Sequence, residues 1–270
     1  MPEGPEVRRT TDGLASCFLN KEIELLEFGS GRYSKKDPLG YLDFCEDLPR
    51  LVTGVSCKGK FIYFLFADGS SLWNTLGMSG YWSSQPGKHC RAIMTASDHS
   101  TMFYNDMRNF GTFKYVSSQE ELNKKLTSLG PDMLSESISL EQFRKSLVKG
   151  KRSEKPISQL LMDQSVVSGI GNYLKAEILY SAKISPHRLC KDISEAELQS
   201  LFHSARSIIK LSYESGGATI RNYKDTSGEN GVYTRRFAVY NQKSDPLGND
   251  VVKELTADKR TTHWVPELQN

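Results

Sequence analysis

The residues best suited to chemistry stand at the start of the chain, Met1-Pro2-Glu3-Gly4-Pro5-Glu6. With Met1 removed, as is usual before a small second residue, Pro2 carries a free secondary amine. An α-amino group has an ordinary pKa of roughly 7.7–8.0, so a useful fraction is neutral at neutral pH. A neutral amine attacks a carbonyl or masked aldehyde carbon and forms an iminium, which then acts as an electron sink. Glu3 and Glu6 beside it supply carboxylates for proton transfer. The same residues also fit a plainer reading, because Pro5 at a first helical position and Glu6 in the first turn are ordinary helix-start chemistry.

A nucleophile needs a mount. Val7, Thr11, Leu14 and Phe18 recur at helical spacing, which predicts an amphipathic helix over about residues 5–18. A helix held by that stripe makes Pro2 and Glu3 project from a fixed platform instead of a fraying tail. The chain then reads as mostly β to about 115, with runs at 61–66 and 71–76 and a hairpin of 91–97 with 101–105 around Asp98-His99. Such a half implies a sandwich or a barrel. From about 119 the period becomes helical, over 120–129, 140–147, 156–163, 173–181 and 195–213, after the punctuation Leu129-Gly130-Pro131-Asp132. Two short β-like pieces, 236–240 and 261–265, close the chain. The class is α+β.

Composition narrows the field. A chain of 270 residues with 38% hydrophobic and 25% charged residues is that of a soluble globular protein of one or two domains. No apolar run is long enough to span a bilayer, and no secretory leader precedes the first helix. Cys17, Cys45, Cys57, Cys90 and Cys190 are dispersed, so they read as free thiols in a reducing compartment. The net charge of +3 is unevenly spread: residues 142–191 hold ten Lys or Arg against three Asp or Glu. That concentration suits a polyanion, although a solvated basic face explains it equally well.

Motifs spread along nearly the whole chain resemble the formamidopyrimidine-DNA glycosylase/endonuclease VIII family of base-excision repair enzymes. They are Pro2-Glu-Gly-Pro-Glu6, Lys58-Gly59-Lys60, Leu76-Gly77-Met78-Ser79-Gly80, Asn105-Asp-Met-Arg108-Asn-Phe110-Gly111 and Leu129-Gly-Pro-Asp132. Leu161-Met-Asp163-Gln164 through Gly169-Ile-Gly171-Asn172 follows, and then Arg260-Thr-Thr-His-Trp264 with Gln269. The resemblance implies three parts: a catalytic N-terminal helix and β-sandwich (1–118), a helix–two-turn–helix DNA-binding domain (119–233) and a finger hairpin (234–270). It implies a bifunctional glycosylase and abasic-site lyase that acts by β,δ-elimination through a Pro2 Schiff base. Glu3 and Glu6 assist, and Lys60 is a phosphate or lesion-site contact.

Other roles follow from the same resemblance. Asn172, Arg260 and His89 contact DNA. Met78, Arg108 and Phe110 fill the void left by a flipped base, the apolar side chains wedging into the stack while the arginine donates to the orphaned partner. On local context alone, Met78 and Phe110 could equally be core residues, Lys60 a solvated edge charge and Gly169-Ile-Gly171 a tight connection. Gly217, Thr219, Arg221 and Tyr223 resemble a lesion-covering loop.

Many members carry a four-cysteine zinc finger, but no cysteine follows Cys190 here, and Val265, Leu268 and Leu247 stand at cysteine positions. Tetrahedral thiolate ligation is therefore impossible in that segment. This resembles the zincless finger of the endonuclease-VIII-like branch, with no metal and no organic cofactor. The implied partner is damaged double-stranded DNA, single-stranded DNA being left open, and the implied state is a monomer. The implied substrates are ring-opened purines, hydantoins and oxidised pyrimidines. A non-catalytic DNA-damage binder using the same helical module is the alternative, against which Pro2, Glu3 and Lys60 argue.

Overall fold

A computed structural model of the chain describes residues 1–218, 226, 228 and 231–270. By internal contacts it divides into two units, Met1–Thr127 with Ser215–Val232, and Ser128–Glu214 with Tyr233–Asn270. The stretch 215–232, grouped with the helical region on sequence, thus associates with the first unit.

The first unit opens with α1 (Gly4–Phe18), whose buried face carries Val7, Thr11, Leu14 and Phe18. Strands β1 (Glu22–Glu27), β2 (Arg50–Lys58), β3 (Phe61–Phe66), β4 (Ser71–Thr75), β5 (Gly80–Ser83), β6 (Cys90–Ala96), β7 (Thr101–Asp106) and β8 (Thr112–Val116) follow, with α2 (Tyr41–Glu46) between β1 and β2. They pair antiparallel in the order β5-β7-β6-β1-β2-β3-β4-β8. The β1–β2 join rests on only two residue pairs, Glu22 with Leu51 and Ile23 with Arg50. The order thus folds into two four-stranded layers, the β-sandwich that the resemblance implied.

Alternation selects the inner faces. Ile62, Phe64 and Phe66 of β3 are buried, whereas Tyr63 and Leu65 are only half-buried. Trp82, Tyr104 and Phe113 meet edge-on or tilted, with centroids 5.0–6.0 Å apart. The Trp82 indole donates to Asn74 Oδ1 at 3.0 Å, and Asn74 Nδ2 donates to the Thr112 carbonyl, so the polar atoms of these two buried side chains are matched. Helix α3 (Gln119–Ser128) follows β8.

The second unit contains α4 (Leu140–Val148), α5 (Ile157–Met162), α6 (Asn172–Ala182), α7 (Glu195–Glu214) and a hairpin of β9 (Val252–Leu255) with β10 (Thr261–Trp264). Helix α6 is buried almost all round, as expected of a central element. The expected strand at 236–240 is not one. Instead the backbone N–H groups of Ala238, Val239 and Tyr240 all donate to the buried Glu177 carboxylate at 2.8–3.0 Å. A side chain thus satisfies the amides a neighbouring strand would have taken, and the strand that pairs with β10 is β9.

The finger packs without thiolates. Val265 is buried with Val239 and Ala176, and Leu268 packs against them, whereas Leu247 is 74% exposed and contributes nothing to that cluster. Asp245 orders the loop around Leu247 by accepting from the Leu247 and Asn249 amides and from the Tyr180 hydroxyl. Gln269 accepts from Val265 N and donates to the Ile184 carbonyl. Among the described residues no helix is long and apolar enough to cross a membrane.

His263 is buried in this finger with its ring 5.0 Å from that of Tyr240. Burial, reinforced by the nearby positive charges of Lys253 and Lys175, lowers its pKa from 6.5 to about 4. The folded chain therefore holds His263 neutral where the unfolded chain would protonate it. Its contribution to stability is complete above about pH 6.5 and is lost as pH falls towards about 4. Urea unfolding midpoints should drop over that window and drop less in His263→Gln; an equal pH dependence in both proteins would contradict the assignment.

Candidate functional site

The chemistry-bearing N-terminus is locked into the fold. Glu3 is the N-cap of α1 and forms a reciprocal capping box with Glu6. The Glu3 amide donates to Glu6 Oε2 at 2.7 Å, and the Ala218 amide donates to Glu6 Oε1, also at 2.7 Å. One buried carboxylate thereby ties the first residues to Gly217-Ala218, which are distant in sequence. Gly217 has φ +83°, and a Cβ there would lie 2.8 Å from Glu6 Oε1, so this approach requires glycine. Pro2 and Glu3 do not project as the helix platform suggested; both are buried, Glu3 to 3% exposure. Thr219, Arg221 and Tyr223 of the expected lesion loop lie outside the described residues.

Lys60 is half-buried beside Gly59, in the turn between β2 and β3. Its neighbour Lys58 is committed elsewhere, donating to the Leu126 carbonyl in the last turn of α3 at 2.7 Å. That pairing is a common use of a lysine at a helix C-terminus.

Met78, Arg108 and Phe110 occupy two adjoining loops, β4–β5 and β7–β8. Gly77, at φ +62°, brings them together, since a Cβ there would sit 2.7 Å from Gly111 N and from the Phe110 carbonyl carbon. Phe110 is 52% exposed and Arg108 is exposed with its guanidinium 4.7 Å from the Phe110 ring centre. Met78 is half-buried. Buried Asp106 organises both loops: Oδ1 accepts from Ser79 Oγ at 2.5 Å and Arg108 N at 3.2 Å, and Oδ2 from Gly111 N at 2.8 Å. The Asp106 amide donates to the carbonyl of His89, whose side chain is half-buried just before β6. Asp106 was within reach of sequence reasoning, since it lies inside the Asn-Asp-Met-Arg motif, but its type alone does not separate an organising carboxylate from a solvated one.

In the second unit, α5, two turns and α6 form the helix–two-turn–helix. Gln164 stitches the turns, donating to the Met162 and Ile170 carbonyls and accepting from Gly169 N. Gly130 closes them from the other side, where a Cβ would lie 2.3 Å from the Val166 carbonyl oxygen. Asn172 opens α6 directly after Gly171. Asn172 Nδ2 donates to the Thr261 carbonyl at 2.9 Å, so exposed Arg260 is brought beside the start of α6. The first turn of a helix favours anions.

The basic run at 142–191 is partly consumed internally. Arg144, Lys145, Arg188 and Lys191 pair with Glu195, Glu141, Glu197 and Glu154. Lys149, Lys151, Lys155 and Lys183 are exposed.

Comparison with known proteins matches all three segments. Residues 1–113 match the formamidopyrimidine-DNA glycosylase N-terminal domain, 129–224 its H2TH domain and 233–270 its C-terminal domain. The formamidopyrimidine-DNA glycosylase of Oceanobacillus iheyensis is 34% identical over 283 residues, spanning 100% of this chain and 98% of that one. The crystal structure of the MutM (Fpg) protein from Thermus thermophilus superposes with a TM-score of 0.86 at 29% identity, covering 99% of this chain and 98% of that one. A Lactococcus lactis Fpg mutant in complex with Fapy-dG-containing DNA gives a TM-score of 0.86 at 27% identity, covering 100% of both chains. By fold, by domain order and by full-length similarity, this chain belongs to the formamidopyrimidine-DNA glycosylase family.

Proposed function

We propose that this protein excises oxidised bases from DNA and then cleaves the resulting abasic site by β,δ-elimination, with Pro2 as nucleophile. The observation that carries this reading is the Glu6 clamp, which fixes the Pro2-Glu3 segment against residues 217–218 at 2.7 Å on both sides. A fluctuating terminus would not hold an amine in attack geometry, and a terminus tied down through a buried carboxylate supports this reading.

In this reading the Pro2 amine, free of Met1, attacks C1′ of the damaged nucleotide and the base departs. Glu3 transfers a proton at the sugar as the ring opens. The C1′ iminium acidifies C2′; loss of that proton expels the 3′ phosphate, and a second elimination expels the 5′ phosphate. Lys60 contacts a phosphate or the lesion. Asn172, Arg260 and His89 grip the DNA backbone, and Met78, Arg108 and Phe110 occupy the vacated stack. The lesion is covered by the segment from Gly217 through Thr219, Arg221 and Tyr223, and ring-opened purines, hydantoins and oxidised pyrimidines are the substrate class. The cysteine-free finger supports placing the chain, in this reading, in the zincless branch, as a monomer without metal or organic cofactor in an intracellular reducing compartment.

Borohydride trapping on an abasic duplex tests the nucleophile. The mature protein should form a covalent adduct, Pro2→Gly should form less, and an uncleaved N-terminal tag should abolish it; full trapping by the tagged protein would overturn the assignment, and no trapping by the mature protein would favour a damage binder. Glu3→Gln should lose base excision far more than abasic-site cleavage, because a preformed abasic site has no base left to expel.

The wedge has its own test. Because Phe110 is 52% exposed, Phe110→Ala should leave thermal stability nearly unchanged while slowing excision from duplex more than from single strand. A loss of ~3–5 kcal/mol, as for a deleted core aromatic, would instead make Phe110 a packing residue.

A further inference from the structure

Arg260 sits on a turn whose two flanks are both attached to α6. On one side, Asn172 Nδ2 donates to the Thr261 carbonyl at 2.9 Å. On the other, the Lys175 ammonium meets Asp258 Oδ2 at 2.5 Å, and both side chains are buried, at 0% and 3% exposure. Asn172 and Lys175 are three residues apart, so they lie on one face of the helix. The ion pair continues towards Arg260. Asp258 Oδ1 accepts from Thr256 Oγ1 at 2.5 Å, that oxygen is 3.1 Å from the Arg260 carbonyl, and Thr256 N donates to the same carbonyl at 3.1 Å. Lys259, at φ +59°, turns the chain between them. A fully buried lysine costs several kcal/mol of lost hydration unless it is paired, and apolar residues of similar volume would often be at least as stabilising. Stability alone therefore does not explain its presence.

We propose that Lys175 is a positioning residue for Arg260: through Asp258 and Thr256 it fixes the turn that presents the guanidinium, in a finger that has no cysteine to fix it otherwise. This rests on the phosphate-gripping reading of Arg260. Lys175 itself touches no DNA.

The test compares Arg260→Ala, Lys175→Met/Asp258→Leu and the triple variant, measuring the salt dependence of binding to a duplex containing a tetrahydrofuran abasic analogue, with thermal unfolding followed in parallel. Arg260→Ala should make the salt dependence shallower by about one unit and weaken binding about tenfold at ~0.1 M salt. The apolar pair should fold and produce the same change, and adding Arg260→Ala to it should weaken binding little further. A folded apolar-pair variant with unchanged salt dependence would overturn the positioning role while leaving the grip of Arg260 intact. An unchanged Arg260→Ala would instead remove the phosphate reading on which it rests. Should the apolar pair prevent folding, Thr256→Val decides the matter: it leaves the ion pair in place and should weaken binding in the same direction, and unchanged binding by a folded Thr256→Val would overturn the proposal.

Discussion

Buried carboxylates that accept backbone amides are the constraint on which the functional segments depend. Glu6 accepts from Glu3 and Ala218, Asp106 from Arg108 and Gly111, and Glu177 from Ala238, Val239 and Tyr240. For the buried amides among them, such as those of Ala218, Gly111 and Val239, a segment without regular hydrogen-bonding partners would otherwise leave a donor unmatched in a dry interior, at a cost of about 1–3 kcal/mol per group. A carboxylate satisfies two or three at once. The arrangement is mutual, since a lone buried carboxylate is itself strongly disfavoured. Burial raises the pKa of Glu177, and the three amides from Ala238, Tyr240 and Val239 act against that rise.

The three clamps serve three different segments. Glu6 holds the Pro2-Glu3 terminus, Asp106 holds the loops bearing Met78, Arg108 and Phe110, and Glu177 holds the approach to the finger. In the function proposed above, chemistry, gap-filling and grip would sit on different segments that share one stabilising device. Side chains facing solvent on these segments, Phe110 and Arg260 among them, are left free of packing duties. The polar network at Lys175, Asp258 and Thr256 extends the same logic to a pair of opposite charges.

Much of this was legible in the sequence where period and burial coincide. The stripe of Val7, Thr11, Leu14 and Phe18 announced α1, and the run Phe61-Ile-Tyr-Phe-Leu-Phe66 announced β3, because apolar spacing follows directly from which face is buried. The helix–two-turn–helix was legible only through the family resemblance, since Gly169-Ile-Gly171 by itself reads as a tight connection. What escaped were long-range polar contacts. Nothing near Glu177 in sequence signals that it receives residues 238–240, and so their apolar character reads as a strand. Glu6 and Ala218 are likewise paired across 212 positions. Lys175 looks like one more member of a basic run, and only the fold brings Asp258 against it.

Amide hydrogen exchange on the intact protein is the most direct measurement of whether carboxylates hold these segments. The amides of Glu3, Gly111, Ala218, Val239 and Tyr240 belong to no regular helix or strand ladder, so their protection reports on the carboxylate bonds. They should exchange as slowly as core strand amides such as those of β3, and Glu6→Ala, which removes both acceptor oxygens, should release Glu3 and Ala218 while leaving Val239 and Tyr240 protected. Exchange of all five at the rate of the exposed turn at Asp98-His99 would contradict the clamps, and with them the basis for a preorganised Pro2.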